Sequence, residues 1–307
     1  MLVTPRSLSA GDHPALRPLR EAGYRLVRPA PGRMPQRDEL MRSLPGCVGW
    51  LCGIEPVDAG VIAAADALRI ISRNGTGIDN LPLAALAERG IVVRRAEAAN
   101  ARGVAELALL LILAGLRQMV ECHEGVRQGQ WPRPLGREIE TATIGIVGLG
   151  AVGSRLADMV LALGASVLAH DPLAPPDRVR HPRLRRTSLE ETVAAADAVT
   201  LHVPRPPAGE PLMTAAMVAR MKPGAVLVNT ARAGLVDEGA VLRSLQDGRL
   251  RAYAVDAFAT EPPPLAPLLL HPRTILTPHL GGLTVESVGR AASVAVANLL
   301  EELGRAA

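Results

Sequence analysis

The sequence predicts an α/β protein made of two doubly wound parallel-sheet domains, and three observations predict it. Short apolar runs alternate with helical patterns along most of the chain, which is how parallel strands joined by helical crossovers read. The 307 residues, 48% of them apolar, are enough for two sizeable cores. A Gly-x-Gly-x-x-Gly turn stands in mid-chain between an apolar run and an apolar helical stretch.

In chain order, residues 1–4, 25–28, 47–51, 68–72 and 91–93 read as strands, with helices over 13–22, 57–65 and 82–89. This first part reads as a small α/β domain of its own. The loop Arg73-Asn74-Gly75-Thr76-Gly77-Ile78-Asp79-Asn80 follows one of these strands. Its two glycines let successive amides turn toward one point, an anion site, and Asp79-Asn80 can cap the helix that Pro82 begins. A plain turn before a helix explains the same residues. Residues 100–127 read as one long helix, apolar all round over 107–116, hence buried on every side and too short to cross a bilayer. Trp131, in the linker that follows, reads as a packing residue.

The central turn, Gly148-Leu149-Gly150-Ala151-Val152-Gly153, follows a strand at 144–147 and opens a helix at 154–163. Gly148 lets the chain leave the strand, Gly150 leaves room for a pyrophosphate, and Gly153 allows close helix–strand packing. A second strand, 165–169, leads to Asp171, an acid at the distance a dinucleotide fingerprint needs. Further strands at 198–203, 225–229, 253–256 and 274–276 bring the count to six. Helices at 189–196, 214–221 and 238–245 separate most of them, and a final amphipathic helix covers 284–303.

Ligands of an open parallel sheet bind beyond the carboxyl ends of its strands. His202, Arg232, Glu261 and His279 follow successive strands there. A carboxylate beside His279 makes it a proton acceptor and donor near neutral pH, and Arg232 offers a planar fork for a carboxylate. With a nicotinamide, this is equipment for hydride transfer at a carbon that bears a hydroxyl.

Other classes are disfavoured. The net charge of +4 is scattered among 34 basic and 30 acidic residues, and five aromatics offer little stacking, so nucleic acid is not expected. Three cysteines, Cys47, Cys52 and Cys122, lack metal-ligand spacing and fit a reducing cytoplasm as buried thiols. No metal and no membrane partner are expected, and the start does not read as a signal peptide.

Five segments resemble a known family: the glycine turn; Leu201-His202-Val203-Pro204; Asn229-Thr230-Ala231-Arg232-Ala233-Gly234; Val255-Asp256-Ala257-Phe258-Ala259-Thr260-Glu261-Pro262; and Thr277-Pro278-His279-Leu280-Gly281-Gly282. They look like the signatures of the NAD-dependent D-2-hydroxyacid dehydrogenases, over about residue 44 to the C-terminus. The resemblance implies a Rossmann cofactor domain, 99–282, inserted in a flavodoxin-like substrate domain, 1–98 plus 283–307, the two crossing segments serving as a hinge. It implies NAD as cofactor, a D-2-hydroxy or 2-oxo acid as substrate, and a homodimer through the 100–127 region.

By the same resemblance, His279 is the acid/base, Glu261 its partner, and Arg232 the binder of substrate carboxylate and carbonyl. Asn74, Gly75 and Thr76 form the substrate-carboxylate loop. Cofactor contacts fall to Val104, Gly148, Gly150, Ala151, Val152, Gly153, Asp171, His202, Val203, Pro204, Thr230, Ala231, Arg232, Asp256, His279 and Gly281. Asp171 would hold the ribose hydroxyls and disfavour the phosphate of NADP. The chain looks like a short form of the phosphoglycerate dehydrogenase branch without a regulatory domain. It departs from that branch at Cys52-Gly53-Ile54-Glu55, where an Arg-Ser pair is usual, and Glu55 near a phosphate would repel it. Two rival readings are an NAD(H)-sensing corepressor-like protein and a family member that oxidises phosphite or formate.

Overall fold

The structure, a computed structural model, describes residues 1–205 and 209–304. It divides into two compact units, one of residues 1–100 with 282–307 and one of residues 101–281.

In the first unit β1 (Leu2–Val3), β2 (Gly49–Cys52), β3 (Ile70–Arg73) and β4 (Val92–Arg95) form a parallel sheet in that order. The expected strand at 25–28 is reduced to a single bridge, Leu2 with Val27, held by Val3 N–H to Val27 O at 2.9 Å and Val27 N–H to Met1 O at 2.8 Å. Pro29 and Pro31 follow at once and cannot donate to a ladder. With that segment counted, the strand order is that of a flavodoxin-like sheet. Side chains alternate between two faces: Trp50 and Cys52 join one core cluster, while Leu51 joins another with Ala292, Ala295, Val296, Leu299 and Leu303. Those last five lie on the C-terminal helix Val285–Gly304, so the end of the chain completes the core begun at its start.

The second unit holds seven parallel strands: β5 (Thr143–Val147), β6 (Ser166–His170), β7 (Leu184–Arg186), β8 (Ala198–Leu201), β9 (Ala225–Asn229), β10 (Leu250–Val255) and β11 (Thr274–Leu276). Their spatial order is β11-β10-β9-β8-β5-β6-β7, which reverses direction between β5 and β8. That is the doubly wound order, with its ligand crevice at the reversal. The sixth expected strand is thus joined by a seventh: β7 is Leu-Arg-Arg, too short and too polar for its pattern to show in sequence. Apolar clusters cover both faces of the sheet.

The single helix expected over 100–127 is two, Ala101–Leu116 and Met119–Arg127, bent by 64°. Gln118 adopts φ +50° at the break, and its side-chain amide donates to Glu121 at 3.0 Å while its carbonyl accepts from Arg251, also at 3.0 Å. Nor is the apolar stretch buried all round, because Leu110 is 55% exposed. Trp131 is exposed as well. No single helix is long and apolar enough to cross a membrane. Among the described residues there is no cluster of groups able to hold a metal, and the three cysteines are free, Cys47 and Cys52 buried and Cys122 half-buried.

Candidate active site

Most sequence-derived candidates of the second unit stand just beyond a strand on the carboxyl edge, whereas Val104 lies on the helix Ala101–Leu116. Gly148 follows β5, Asp171 follows β6, His202 follows β8, Thr230 follows β9, and Asp256 follows β10. His279 comes three residues past β11.

The glycine turn has no room for side chains at its two ends. Gly148 has φ +96°, and a Cβ there would lie 2.6 Å from the His202 carbonyl oxygen. At Gly153 a Cβ would lie 1.8 Å from the Gly148 carbonyl oxygen. Gly150 between them has nothing within 4 Å of its virtual Cβ. The turn is therefore tight against the protein at both ends and open in the middle. The helix Ala151–Ala162 starts there, with Ala151 and Val152 in its first turn and no side chain capping it, so its leading amides are available to an anion. The Thr230 hydroxyl oxygen is buried and has no hydrogen-bond partner among the described residues. An open cradle, free helix amides and an orphaned hydroxyl together fit a bound dinucleotide.

Asp171 accepts from the amide of Leu149 at 2.7 Å and from those of Leu173 at 2.9 Å and Ala174 at 3.0 Å. Desolvation alone would raise its pKa, but these three amides and nearby Arg186 outweigh it and hold the carboxyl below its usual range. Three of about four lone-pair positions are occupied, which leaves one side of Oδ2 for a ligand hydroxyl. The His202 ring lies 3.0 Å from the Thr200 hydroxyl, and desolvation pushes its pKa down to about 4. It is neutral at physiological pH. Val203 packs on the core and Pro204 is exposed.

Glu261 and His279 are brought into contact: His279 Nδ1 lies 2.7 Å from Glu261 Oε1, which also accepts from the Phe258 amide at 3.3 Å. An ionised carboxylate can only accept, so Nδ1 carries the proton and Nε2 is left to exchange one. His279 sits at φ +54°, a conformation that needs support. Asp256, 2% exposed, supplies it: Oδ1 accepts from the Thr277 hydroxyl and the Leu280 amide, both at 2.7 Å, and Oδ2 from the Gly281 amide at 3.0 Å. The bracing role of Asp256 is not visible in sequence, where it reads only as a cofactor contact. Val104 lies against Gly281, 3.1 Å from its virtual Cβ.

Arg232 lies in the loop after β9, with Nη1 donating to the Ala231 carbonyl at 2.8 Å. Buried Asn229 shapes that loop, accepting from the Ala231 amide at 3.1 Å and donating to the Arg232 carbonyl at 2.8 Å. Sequence reasoning missed Asn229, which reads as the plain end of a strand. Since β9, β10 and β11 are neighbours, Arg232, Glu261 and His279 leave adjacent strands.

In the first unit the loop of Asn74, Gly75 and Thr76 follows β3. Gly75 has φ +147° and packs against the Arg73 guanidinium. Among the described residues the amides of Thr76 and Gly77 have no protein acceptor, and Asn74 Oδ1 is buried without a partner. The expected cap by Asp79-Asn80 is absent: the helix Leu83–Glu88 has no side-chain cap, and Asn80 instead donates to the carbonyls of Gly53 at 3.3 Å and Glu55 at 2.7 Å. Glu55 is not presented to solvent. It is 2% exposed, and Oε1 turns inward to accept from the Gly53 amide at 2.9 Å, the Cys52 thiol at 3.3 Å and the Thr4 hydroxyl.

A doubly wound sheet with an open glycine turn at its point of reversal, and a carboxylate at the end of the next strand, defines a dinucleotide-binding protein of the Rossmann class. More particularly, the chain belongs to the D-isomer specific 2-hydroxyacid dehydrogenase family, whose NAD binding domain model matches residues 109–281. The chain is 39% identical over 260 residues to D-3-phosphoglycerate dehydrogenase of Mycobacterium tuberculosis, covering 84% of this chain and 49% of that protein. The rat D-3-phosphoglycerate dehydrogenase is 35% identical over 257 residues, 83% of this chain and 48% of that protein. The chain thus spans about half the length of the curated relatives it matches. Among solved structures, the TT0316 protein of Thermus thermophilus superposes with a TM-score of 0.87 at 35% identity, over 99% of this chain and 96% of that one.

Proposed function

We propose that the chain is an NAD-dependent oxidoreductase that interconverts a D-2-hydroxy acid and its 2-oxo acid. The observation that carries this reading is the 2.7 Å contact between His279 and Glu261, on a loop braced by Asp256, at the carboxyl edge of the same sheet that carries the dinucleotide turn. A bound nicotinamide supplies the acceptor or donor of a hydride at substrate C2. In the oxidising direction His279 Nε2 takes the proton of the C2 hydroxyl, and the Glu261 carboxylate stabilises the imidazolium that results. In the reducing direction the same nitrogen returns it. Arg232 holds the substrate carboxylate and polarises the carbonyl through its planar fork. The free amides of Thr76 and Gly77 support the role of the Asn74-Gly75-Thr76 loop as a carboxylate contact. Asp171, which has room for a ribose hydroxyl and little tolerance for a phosphate, supports NAD over NADP.

The substrate domain is the 1–100 plus 282–307 unit, and the partner is a second copy. Exposed Leu110, Met119 and Val126 on the two helices that begin at Ala101 and Met119 support a homodimer through this region. Light scattering should give twice the monomer mass, and Leu110→Arg should restore a monomer. The catalytic assignment is tested by His279→Ala: turnover should fall by about 10²–10⁴ while NADH binding, followed by fluorescence, stays intact. Retained turnover would remove His279 from its role.

A further inference from the structure

The glycine turn carries no charged side chain from Gly148 to Ser154. A helix N-terminus offers a diphosphate only about half an elementary charge. A guanidinium reaches the turn from elsewhere. Arg178, in the loop between β6 and β7, donates from Nε to the Leu149 carbonyl at 3.3 Å. Leu149, the residue between Gly148 and Gly150, therefore has its amide on Asp171 and its carbonyl on Arg178.

The loop that carries Arg178 is well held. Its carbonyls at Asp171, Ala174 and Pro175 accept from the Arg186 guanidinium, and Asp171 caps the amides of Leu173 and Ala174. Ala174 and Val179 pack against the core, the latter immediately after Arg178. Pro172, Pro175 and Pro176 stiffen the chain between. Arg186 is occupied by the loop's own carbonyls. The terminal nitrogens of exposed Arg178, by contrast, have no hydrogen-bond partner among the described residues.

We propose that Arg178 is a cofactor-binding residue whose terminal guanidinium pairs with the diphosphate of the dinucleotide. The inference rests on the dinucleotide occupying the glycine turn. The chemistry divides around Leu149: on its amide side Asp171 offers an acceptor to ribose hydroxyls, which donate, and on its carbonyl side Arg178 offers donors to phosphate oxygens, which accept. The full charge that the turn lacks comes from the loop after the second strand of the sheet.

Calorimetric titration of NADH, ADP-ribose and adenosine against the wild type, Arg178→Ala and Arg178→Lys tests this. Arg178→Ala should weaken NADH and ADP-ribose about tenfold or more, leave adenosine unchanged, and flatten the dependence of NADH affinity on salt. Arg178→Lys should recover part of the loss. Unchanged NADH affinity would overturn the proposal. An equal loss for adenosine would also overturn it, since Arg178 would then only shape the loop. A wild type that binds neither NADH nor ADP-ribose would instead overturn the dinucleotide reading, and this proposal with it.

Discussion

A carboxylate that is already bonded on three sides is a structural part before it is a chemical one, and the site contains two of them. Asp171 and Asp256 each accept three hydrogen bonds, most of them from backbone amides, and so fix the loops that present Leu149 and His279. Asp256→Ala leaves the amides of Leu280 and Gly281 without their acceptor in a buried place and should cost about 1–3 kcal/mol of stability by denaturant titration. Because it frees a loop whose His279 sits at positive φ, kcat should fall with it. On the proposed role of Arg232, Arg232→Ala deletes a bidentate, charged contact to the substrate and should lower kcat/KM by roughly 10- to 100-fold, with NADH affinity much less affected. His202 makes a different prediction. Its pKa is 6.5 when unfolded and about 4 when folded, so between those values the unfolded chain binds more protons. Stability should therefore rise with pH from 4 to 6.5, by up to about 1.4 kcal/mol per unit, and the slope should be smaller in His202→Gln. Denaturant midpoints measured across that window give the comparison.

At the scale of elements, the strand–turn–helix unit β5 to Ala162 is built so closely that Gly153→Ala is not a small change. A methyl group 1.8 Å from the Gly148 carbonyl oxygen must push the helix off the strand, and the variant should lose NADH binding and melt lower. This unit was legible in sequence because its glycines, its apolar strand and its later acid report one geometry together. The alternating strands were legible for a like reason: buried parallel strands read as short apolar runs. What was not legible was set by tertiary partners. β7 exists because Leu184 to Arg186 pair with β6, not because their own pattern asks for a strand. The break at Gln118 depends on Arg251, distant in sequence, and the segment at Val27 stops at a bridge because prolines follow it. Glu55 reads in sequence as a charge that would repel a substrate phosphate, and the fold buries it among Thr4, Cys52 and Gly53. Glu55→Ala should accordingly cost about 3 kcal/mol of stability, more than an exposed carboxylate would, while Glu55→Gln costs less.

At the scale of the whole molecule, the chain crosses between its two units at residues 100–101 and again at 281–282. The catalytic candidates Arg232, Glu261 and His279 all lie in the unit between those crossings, and the Asn74-Gly75-Thr76 loop lies in the other. The triad thus shares one sheet with the dinucleotide turn, and this is the basis for reading the cofactor as a hydride carrier and not as a structural ligand. A buried, inward-turned Glu55 leaves both phosphorylated and unphosphorylated acids to be tried. The most direct measurement is NADH oxidation by the purified chain over glyoxylate, hydroxypyruvate, phosphohydroxypyruvate, pyruvate and branched 2-oxo acids, repeated with NADPH, with the configuration of the product determined. At least one acid should be turned over with NADH well above NADPH, with a product of D configuration wherever C2 is a stereocentre; silence across the panel, or an L product, would contradict the dehydrogenase reading.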